Sequence, residues 1–422
     1  MKKQWISILV VGLALGTAWA IRGQFGHEPG AAWAGGIGAL ALVLVSQRKD
    51  WYNKALLITL SSALGWGAGG IISYGIVVGY GRSTDFLNAS YGLLMLFVIG
   101  GLFGLLGGGL VGLTLQSSEK KRVNWGSLLA EMIAGGILVH SFLVDQLEIL
   151  MTPPRSEAWA IILGAGLAMI WHMARNNYHS ALRVAFFTTL GAGFGFAFGN
   201  FLQILGDVLE IKFNMWNVME YNIGFWGGIS MAYGVFSSEW PEEISVPQKW
   251  ENRAAALLLF VFLPLIVFET SVFFDVLLKG SDMQTPERVP VVGGIAALLV
   301  VLAVILIGMG KTYRSEHLFN RQNVMILFVA YLAAYIVLSY IVTGAFNGIF
   351  LSNHQLYVVN FIVILILLRK HSPAFLSSTV SDLNGRKWIQ LGIGVVAIIM
   401  ILAFIAIHIH EVMDGSHERF VY

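Results

Sequence analysis

Residues 21–30, IRGQFGHEPG, place an arginine, a glutamine, a histidine and a glutamate among three glycines and a proline, directly after a long apolar run. A guanidinium such as that of Arg22 can hold a carboxylate or a phosphate through paired hydrogen bonds. Gln24 adds a donor and an acceptor, and His27 and Glu28 can pass protons, since imidazole titrates near neutral pH. The stretch therefore predicts a substrate-binding segment. The alternative is an ordinary exposed turn, with Arg22 extended to the lipid headgroups.

Four further titratable residues lie within apolar stretches: Glu131, His140, Asp145 and Glu269. Ionisable groups inside a membrane span are costly and usually functional, so we interpret these four as candidates for proton or ion coupling. Glu269 is the deepest, and it follows Pro264, which can kink a helix and free backbone carbonyls. For Glu131 and Asp145, simple placement at the membrane interface is the alternative.

A row of polar side chains recurs every four residues between 331 and 347, which places it on one face of a helix. Such a row can line a wet surface or hold helices together through hydrogen bonds. The amide side chains of residues 200 and 203 allow the same two interpretations. The row consists of Tyr331, Tyr335, Ser339, Thr343 and Asn347. The full set of predicted substrate-binding residues is Arg22, Gln24, His27, Glu28, Asn200, Tyr331, Tyr335 and Ser339.

Signatures of several other chemistries are missing. The chain has no cysteine, which excludes disulfides, thiolate metal sites and a cysteine nucleophile. It also lacks GxxxxGK[ST], HExxH, DxxD and GxSxG patterns. The run HIHE at 408–411 has ligand-type residues, but His408 and His410 are two apart on a helix and face different directions. We expect no metal and no cofactor.

The elements that must position these residues are membrane helices. The chain is 57% hydrophobic and only 12% charged, against roughly 25% charged in soluble domains. Apolar runs of the length that crosses a bilayer recur throughout, and alternating β-barrel segments are absent. The first twenty residues resemble a secretory signal, but we interpret them as the first span. The thirteen predicted spans are 4–21, 31–46, 55–80, 91–116, 125–147, 158–174, 181–206, 222–237, 253–278, 291–310, 323–344, 356–369 and 388–409.

The distribution of basic residues predicts how these spans are oriented. With the N-terminus in the cytoplasm, nineteen of the 26 Lys and Arg residues fall on the cytoplasmic side. Such a bias is typical of inner-membrane proteins. We therefore expect a cytoplasmic N-terminus and a C-terminus outside.

Glycine divides the chain into two parts. Of the 48 glycines, 37 precede residue 253, and several recur every four residues, which lets membrane helices approach closely. We predict a close-packed core over 1–237 and a more apolar group of about five helices over 253–422. Within the core, EPGAAWAGGIG at Glu28 resembles EYNIGFWGGIS at Glu220, which favours a weak parallel repeat of the hairpins near 5–46 and 181–237.

Many spans, small loops and scattered intramembrane acids favour a multi-pass secondary transporter in the cytoplasmic (inner) membrane. Its solute would be small and polar or anionic, and its coupling ion a proton or sodium. The alternative is an intramembrane enzyme acting on a lipid or lipid-linked sugar at the outer face, with Glu28 or His27 as general base. A scaffold or subunit of a larger complex is a third reading. Membrane lipids, the solute and a second copy of the chain are the expected partners. The net charge of +2 implies no nucleic-acid partner.

Overall fold

The computed structural model describes residues 3–242, 246–278, 288–315, 318–345, 351–370, 375–376 and 385–420. Helices account for 82% of these residues, and none of them lies in a strand ladder. The all-α prediction is therefore confirmed.

The first half of the chain forms α1 Lys3–Arg22, a 3-10 turn Gly23–Phe25, α2 His27–Ser46, α3 Lys49–Asn53, α4 Ala55–Gly70, α5 Gly75–Gly81, α6 Phe86–Gln116, α7 Trp125–His140, α8 Ala158–Arg175, α9 His179–Val208 and α10 Met215–Phe236. The second half forms α11 Lys249–Leu257, α12 Leu263–Val267, α13 Arg288–Arg314, α14 Arg321–Ser339, α15 Leu351–Lys370 and α16 Gly385–Ile409.

Among the described residues, eleven helices are long and apolar enough to cross a membrane, or twelve if α4 and α5 form one span. The chain is thus a multi-pass membrane protein. The predicted count of thirteen is not reproduced, because α10 is not among the apolar candidates. This helix has 22 residues, about 33 Å at 1.5 Å per residue, so it is long enough to span. Its hydropathy is lowered by Asn217, Glu220 and Asn222, which lie in its first half.

The predicted continuous helix over 55–80 is wrong. It breaks after Gly70, and α4 and α5 are bent by 69° across residues 71–74. The backbone N–H of Ile71 bonds to the carbonyl of Ala68 and that of Ile72 to Gly69, which tightens the last turn. The glycine pair weakens the helix there, and the start of α2 lies against it. A Cβ on Gly70 would lie 2.4 Å from the carbonyl oxygen of His27.

Glycine faces bring the core helices together, as small residues do in membranes. Gly100, Gly104 and Gly112 of α6 lie directly against α9, where a Cβ on Gly104 would be 2.3 Å from the carbonyl oxygen of Thr188. In the same way, Gly224 of α10 meets the backbone of α1. By contrast, α7 packs on α8 at the periphery, and of its residues only Leu128 and Gly136 are buried.

Hydrogen bonds between loops identify two ends of the helix bundle. The Lys54 end carries the loops near 46–55 and 116–125, with residues 236–242 and 246–250, and Lys54 Nζ donates to the carbonyl of Ser117 there. The Arg22 end carries residues 22–30, 71–85 and 208–215, and Arg82 forms an ion pair with Asp207 there. Every candidate in the decapeptide therefore lies at the Arg22 end.

The span that begins with α11 is irregular around its proline. Pro264 opens α12, and π-helical segments flank it at Leu258–Phe262 and Phe268–Leu278. Because proline cannot donate to the preceding turn, a wider helical turn beside it is expected.

Candidate functional site

Arg22 is the centre of a buried charged cluster that joins α1 and α10 to the break between α4 and α5. Its Nε donates to Glu220 Oε2 at 3.2 Å, and its Nη2 lies 3.1 Å from the same oxygen. Nη2 also donates to the hydroxyl of Tyr74 at 2.8 Å, and that hydroxyl donates to Glu220 Oε1 at 2.5 Å. Arg22 is 0% exposed and Glu220 7% exposed. A positive guanidinium and a carboxylate are thus held together away from bulk solvent. We name Arg22, Tyr74 and Glu220 the Arg22 cluster.

Aromatic rings surround the guanidinium on the remaining sides. Its carbon lies 4.8 Å from the ring centre of Trp19, 5.6 Å from Tyr74 and 5.9 Å from Phe103. Cation–π attraction of this kind offsets part of the cost of burying the charge. Among the described residues, Arg22 Nη1 has no hydrogen-bond acceptor. Nη1 of the guanidinium is thus still available to donate a hydrogen bond.

Two glycines allow the decapeptide to fold back over Arg22. Gly26 precedes α2 with a φ of +86°, in the left-handed region that favours glycine. Gly30 lies so close to α1 that a Cβ would be 2.3 Å from the carbonyl oxygen of Arg22. The segment is therefore no free turn: Arg22, Phe25 and Gly30 are buried, while His27 and Glu28 are exposed.

A cavity of about 470 Å³ adjoins the Arg22 cluster through Tyr74, which lines it. His27, Arg155, Trp216 and His417 are also in its wall, and the ring of His27 lies 5.8 Å from that of Tyr74. The broken helix supplies one side, because residues 73–76 line the cavity. Non-helical backbone at membrane depth is tolerated where it faces protein or a watery cavity.

The C-terminal segment lies across this end of the bundle. His417 donates its backbone N–H to the carbonyl of Gly79 at 3.0 Å, and Arg82 donates to the carbonyl of Asp414 at 3.1 Å. Asn88 accepts from the backbone of Arg419 at 2.6 Å. These bonds hold the segment against the cavity, whose wall includes His417.

Gln24 does not contact the Arg22 cluster through a hydrogen bond. It belongs to a second polar cluster, formed with Ser339, Thr343 and His354. Its Oε1 accepts from Ser339 at 2.6 Å and from Thr343 at 3.5 Å. His354 Nε2 lies 3.2 Å from the Ser339 hydroxyl and 3.1 Å from that of Thr343. The decapeptide thereby connects α10 on one side with α14 and α15 on the other.

The predicted polar row on α14 forms contacts between helices. Tyr331 donates to the carbonyl of Leu259, and Tyr335 donates to the carbonyl of Gly30, each at 2.8 Å. With Ser339 and Thr343 bonded to Gln24, the four described members of the row all have partners. Asn347 lies outside the described residues. A solute that bound here would have to replace these bonds.

Asn200 and Gln203 lie near the end of α9, and the Asn200 amide donates to Gln203 at 3.2 Å. The other amide atom of Asn200, Oδ1, has no donor among the described residues and lies against Gly81. Gln203 lines a second cavity of about 610 Å³, whose wall includes Trp216. Because Trp216 lines both cavities, the two adjoin each other at the Arg22 end.

Three predicted coupling residues lie apart from the Arg22 cluster: Glu131 and His140 of α7, and Asp145 of the π-helical segment Ser141–Gln146 that follows it. Glu131 bonds to Ser127 at 2.7 Å and to Arg175 at 2.6 Å, towards the Lys54 end. His140 and Asp145 form a separate pair, 3.6 Å apart. Neither group shares a hydrogen bond with Arg22 or Glu220 in the part of the chain that the structure describes.

Glu269 lies in the π-helical segment Phe268–Leu278 and is exposed on the helix surface. It is therefore not enclosed between helices as a deep coupling acid would be. Its role in coupling stays a prediction, as do those of Glu131, His140 and Asp145.

Sequence reasoning missed three residues that the structure brings to the site: Tyr74, Glu220 and His354. A signal for Glu220 was present, because the weak repeat aligns it with Glu28, the acid of the decapeptide. The two glutamates are nevertheless placed differently, since Glu28 is exposed and Glu220 is buried. Tyr74 carried no signal, because the break in the helix that positions it was not predicted.

No protein-family model, no curated protein and no solved structure matches this chain.

Proposed function

We propose that this protein is a secondary transporter that carries a small anionic solute together with a proton. The observation that carries the proposal is the buried pair of Arg22 and Glu220 beside a broken helix and a cavity. Discontinuous helices near a charged, enclosed site are a recurring feature of secondary transporters.

The charge balance of the Arg22 cluster favours coupling to a proton. Arg22 and Glu220 together are neutral, and a buried charge without a partner is strongly unfavourable. An anion that binds the guanidinium adds one negative charge, which a proton on Glu220 cancels. Guanidinium itself stays charged, so the carboxylate is the member that can take up this proton. Solute and proton therefore enter together.

The cavity beside Tyr74 provides a route for the solute to the Arg22 cluster. The cavity wall carries Arg155, whose positive charge attracts an anion to the Arg22 end. Tyr74 belongs both to that wall and to the cluster. Its hydroxyl would move with the hinge at residues 71–74 as the site opens and closes, and Arg22 Nη1 offers a further donor to the solute.

We further propose that α10 is a span despite its low hydropathy, because it packs closely against both α1 and α9 in the core. That gives thirteen spans, a cytoplasmic N-terminus and an external C-terminus. The Arg22 end then faces outwards and the Lys54 end faces the cytoplasm. The positive-inside rule supports an inner-membrane location in this orientation.

The test is uptake into proteoliposomes under an inward pH gradient, with a panel of radiolabelled, membrane-impermeant carboxylates and inorganic phosphate. We expect one or more of these anions to accumulate, and Arg22→Lys to lose at least about tenfold in rate because lysine lacks the paired donors. Arg175→Lys, which alters a guanidinium bonded to Glu131 outside the site, should transport normally.

Gradient-independent turnover of a lipid or lipid-linked sugar by the purified protein, with no anion accumulated, would instead support an intramembrane enzyme. Normal transport by Arg22→Lys would show that the decapeptide is not part of the solute site.

A further inference from the structure

Tyr74 is the member of the Arg22 cluster that also borders the cavity of about 470 Å³. Among the described residues, neither Arg22 nor Glu220 lines this cavity. The ring of Tyr74 is held by that of Phe196, 5.0 Å away, and by that of His27, 5.8 Å away. Tyr74 thus stands between the buried ion pair and the space that a solute would occupy.

The hydrogen bonds of the cluster account for the single hydrogen of the Tyr74 hydroxyl. A hydroxyl offers one donor and two acceptor sites. Arg22 Nη2 can only donate, so the Tyr74 oxygen accepts that bond, at 2.8 Å. The hydroxyl hydrogen therefore points to Glu220 Oε1, 2.5 Å away. While Glu220 is ionised, Tyr74 has no hydrogen left to donate to a solute.

A proton on Glu220 reverses the bond between Glu220 and Tyr74. Glu220 Oε2 lies 3.2 Å from Arg22 Nε and 3.1 Å from Nη2, whereas Oε1 makes one longer contact with Nη2, at 3.4 Å. Oε1 is therefore the oxygen that takes up the proton more easily, and its nearest partner is the Tyr74 oxygen. Once Glu220 donates to that oxygen, the Tyr74 hydrogen has to turn to a different acceptor. An anion in the adjoining cavity can supply one.

We propose that Tyr74 is a solute-binding residue whose hydroxyl donates to the anion only when Glu220 is protonated. This inference rests on the proposed symport of an anion with a proton. The balance of hydrogens is complete: Glu220 gains one proton, Arg22 continues to donate, and Tyr74 keeps its hydrogen but changes its acceptor. The proton thus cancels the charge of the anion and also provides a donor for it.

The test compares anion binding by wild-type protein and Tyr74→Phe, measured by isothermal titration calorimetry in detergent. Lactate and acetate serve as probes in a pH series from about 5.5 to 9, because small carboxylates stay largely ionised there. At the acidic end, Tyr74→Phe should bind at least about tenfold more weakly, the usual contribution of a hydrogen bond to a charged group. At the alkaline end, where ionised Glu220 holds the hydroxyl, the two proteins should agree within about twofold.

Glu220→Gln provides a second measurement, because it fixes the neutral state of this side chain at every pH. Its amide group can donate to the Tyr74 oxygen, as the protonated carboxyl group does. Addition of Tyr74→Phe to Glu220→Gln should therefore weaken binding by the same factor at both ends of the series. A double-variant comparison of this kind isolates the interaction between the two residues.

Tyr221→Phe is the matched control. It removes a hydroxyl from the residue next to Glu220, but this hydroxyl accepts from Asn360 at 3.1 Å. The variant should bind both probes like wild-type protein at each pH. Phenylalanine at position 74 keeps the ring contacts with Phe196 and His27, so we expect Tyr74→Phe to fold normally.

Other titratable groups near the cluster are common to wild-type protein and Tyr74→Phe. Their titration changes binding by both proteins alike, so the difference between the two reports on Tyr74. These groups are His27, Arg155, His417, Tyr335 and Tyr357.

Two results would overturn the role of Tyr74 while leaving the proposed function in place. One is normal binding by Tyr74→Phe at the acidic end of the series. The other is an equal loss at both ends, which would show that the hydroxyl acts independently of the proton on Glu220. Failure of wild-type protein to bind either carboxylate at any pH would contradict the proposed function itself, and this inference with it.

Discussion

Replacement of Glu220 by Gln should destabilise the protein, because it leaves the buried positive charge of Arg22 without a negative partner. Arg22 would remain fully buried with Tyr74 and the ring of Trp19 as neighbours, but without a negative partner. Breaking a buried ion pair on one side costs about 3–5 kcal/mol. The glutamine oxygen can still accept a hydrogen bond. We therefore expect the free energy of unfolding to fall by about 3 kcal/mol, the lower end of this range.

Replacement of the other member of the pair, Arg22→Met, should lower the free energy of unfolding by less. A carboxylate that loses its partner can take up a proton and become neutral, whereas a guanidinium cannot lose one. The double variant Arg22→Met/Glu220→Met removes both charges. It should recover most of the stability, since apolar replacement of a buried pair is often neutral or stabilising.

The assay is unfolding of the three purified variants in detergent, with a parallel transport measurement in proteoliposomes. The account predicts that the double variant is stable but does not transport. Wild-type stability in Glu220→Gln would contradict the assignment of a buried charge pair. Normal transport by the double variant would show that the pair is only structural.

Three further predictions concern other parts of the molecule. Because burial lowers the pKa of Lys54 from 10.5 to about 8, the unfolded chain binds more protons between these values. The free energy of unfolding should therefore rise as the pH goes from about 8 to 10.5, and unfolding of Lys54→Met over that range should show no such rise. Gly104→Ala should lower the free energy of unfolding by about 2 kcal/mol, because its methyl group would meet the backbone of Thr188. Gly126→Ala, whose methyl group has room, is the control, and equal stability of the two would refute close packing as the cause. Glu131→Gln should keep pH-driven uptake within about twofold of wild type, since its bonds lie outside the Arg22 cluster; abolished uptake would return Glu131 to the coupling role.

Much of the helical architecture was predictable because membrane spans are local features of composition. The predicted spans 91–116, 158–174 and 291–310 all lie within helices of the structure. The break at residues 71–74 was not predictable by hydropathy, since IISY is itself mostly apolar. Its cause is tertiary: the glycines of α4 let the start of α2 approach, and the helix ends there.

The candidate site could be predicted only in part, because local composition reveals an unusual segment but not the residues that pack against it. The unusual composition of the decapeptide drew attention to Arg22, but its partner is 198 residues away. Only packing of α1 against α10 identifies Glu220 as that partner. The regular spacing of Tyr331, Tyr335 and Ser339 predicted a shared helix face but not its neighbours, so a contact surface and a wet surface looked alike in the sequence.

The most direct test of the proposed mechanism is proton movement during solute uptake, measured with a pH-sensitive dye enclosed in proteoliposomes. Addition of an anion transported by wild-type protein should acidify the interior, and the same anion should give no acidification with Glu220→Gln. Acidification by Glu220→Gln at the wild-type rate would contradict the proposal that Glu220 carries the coupled proton.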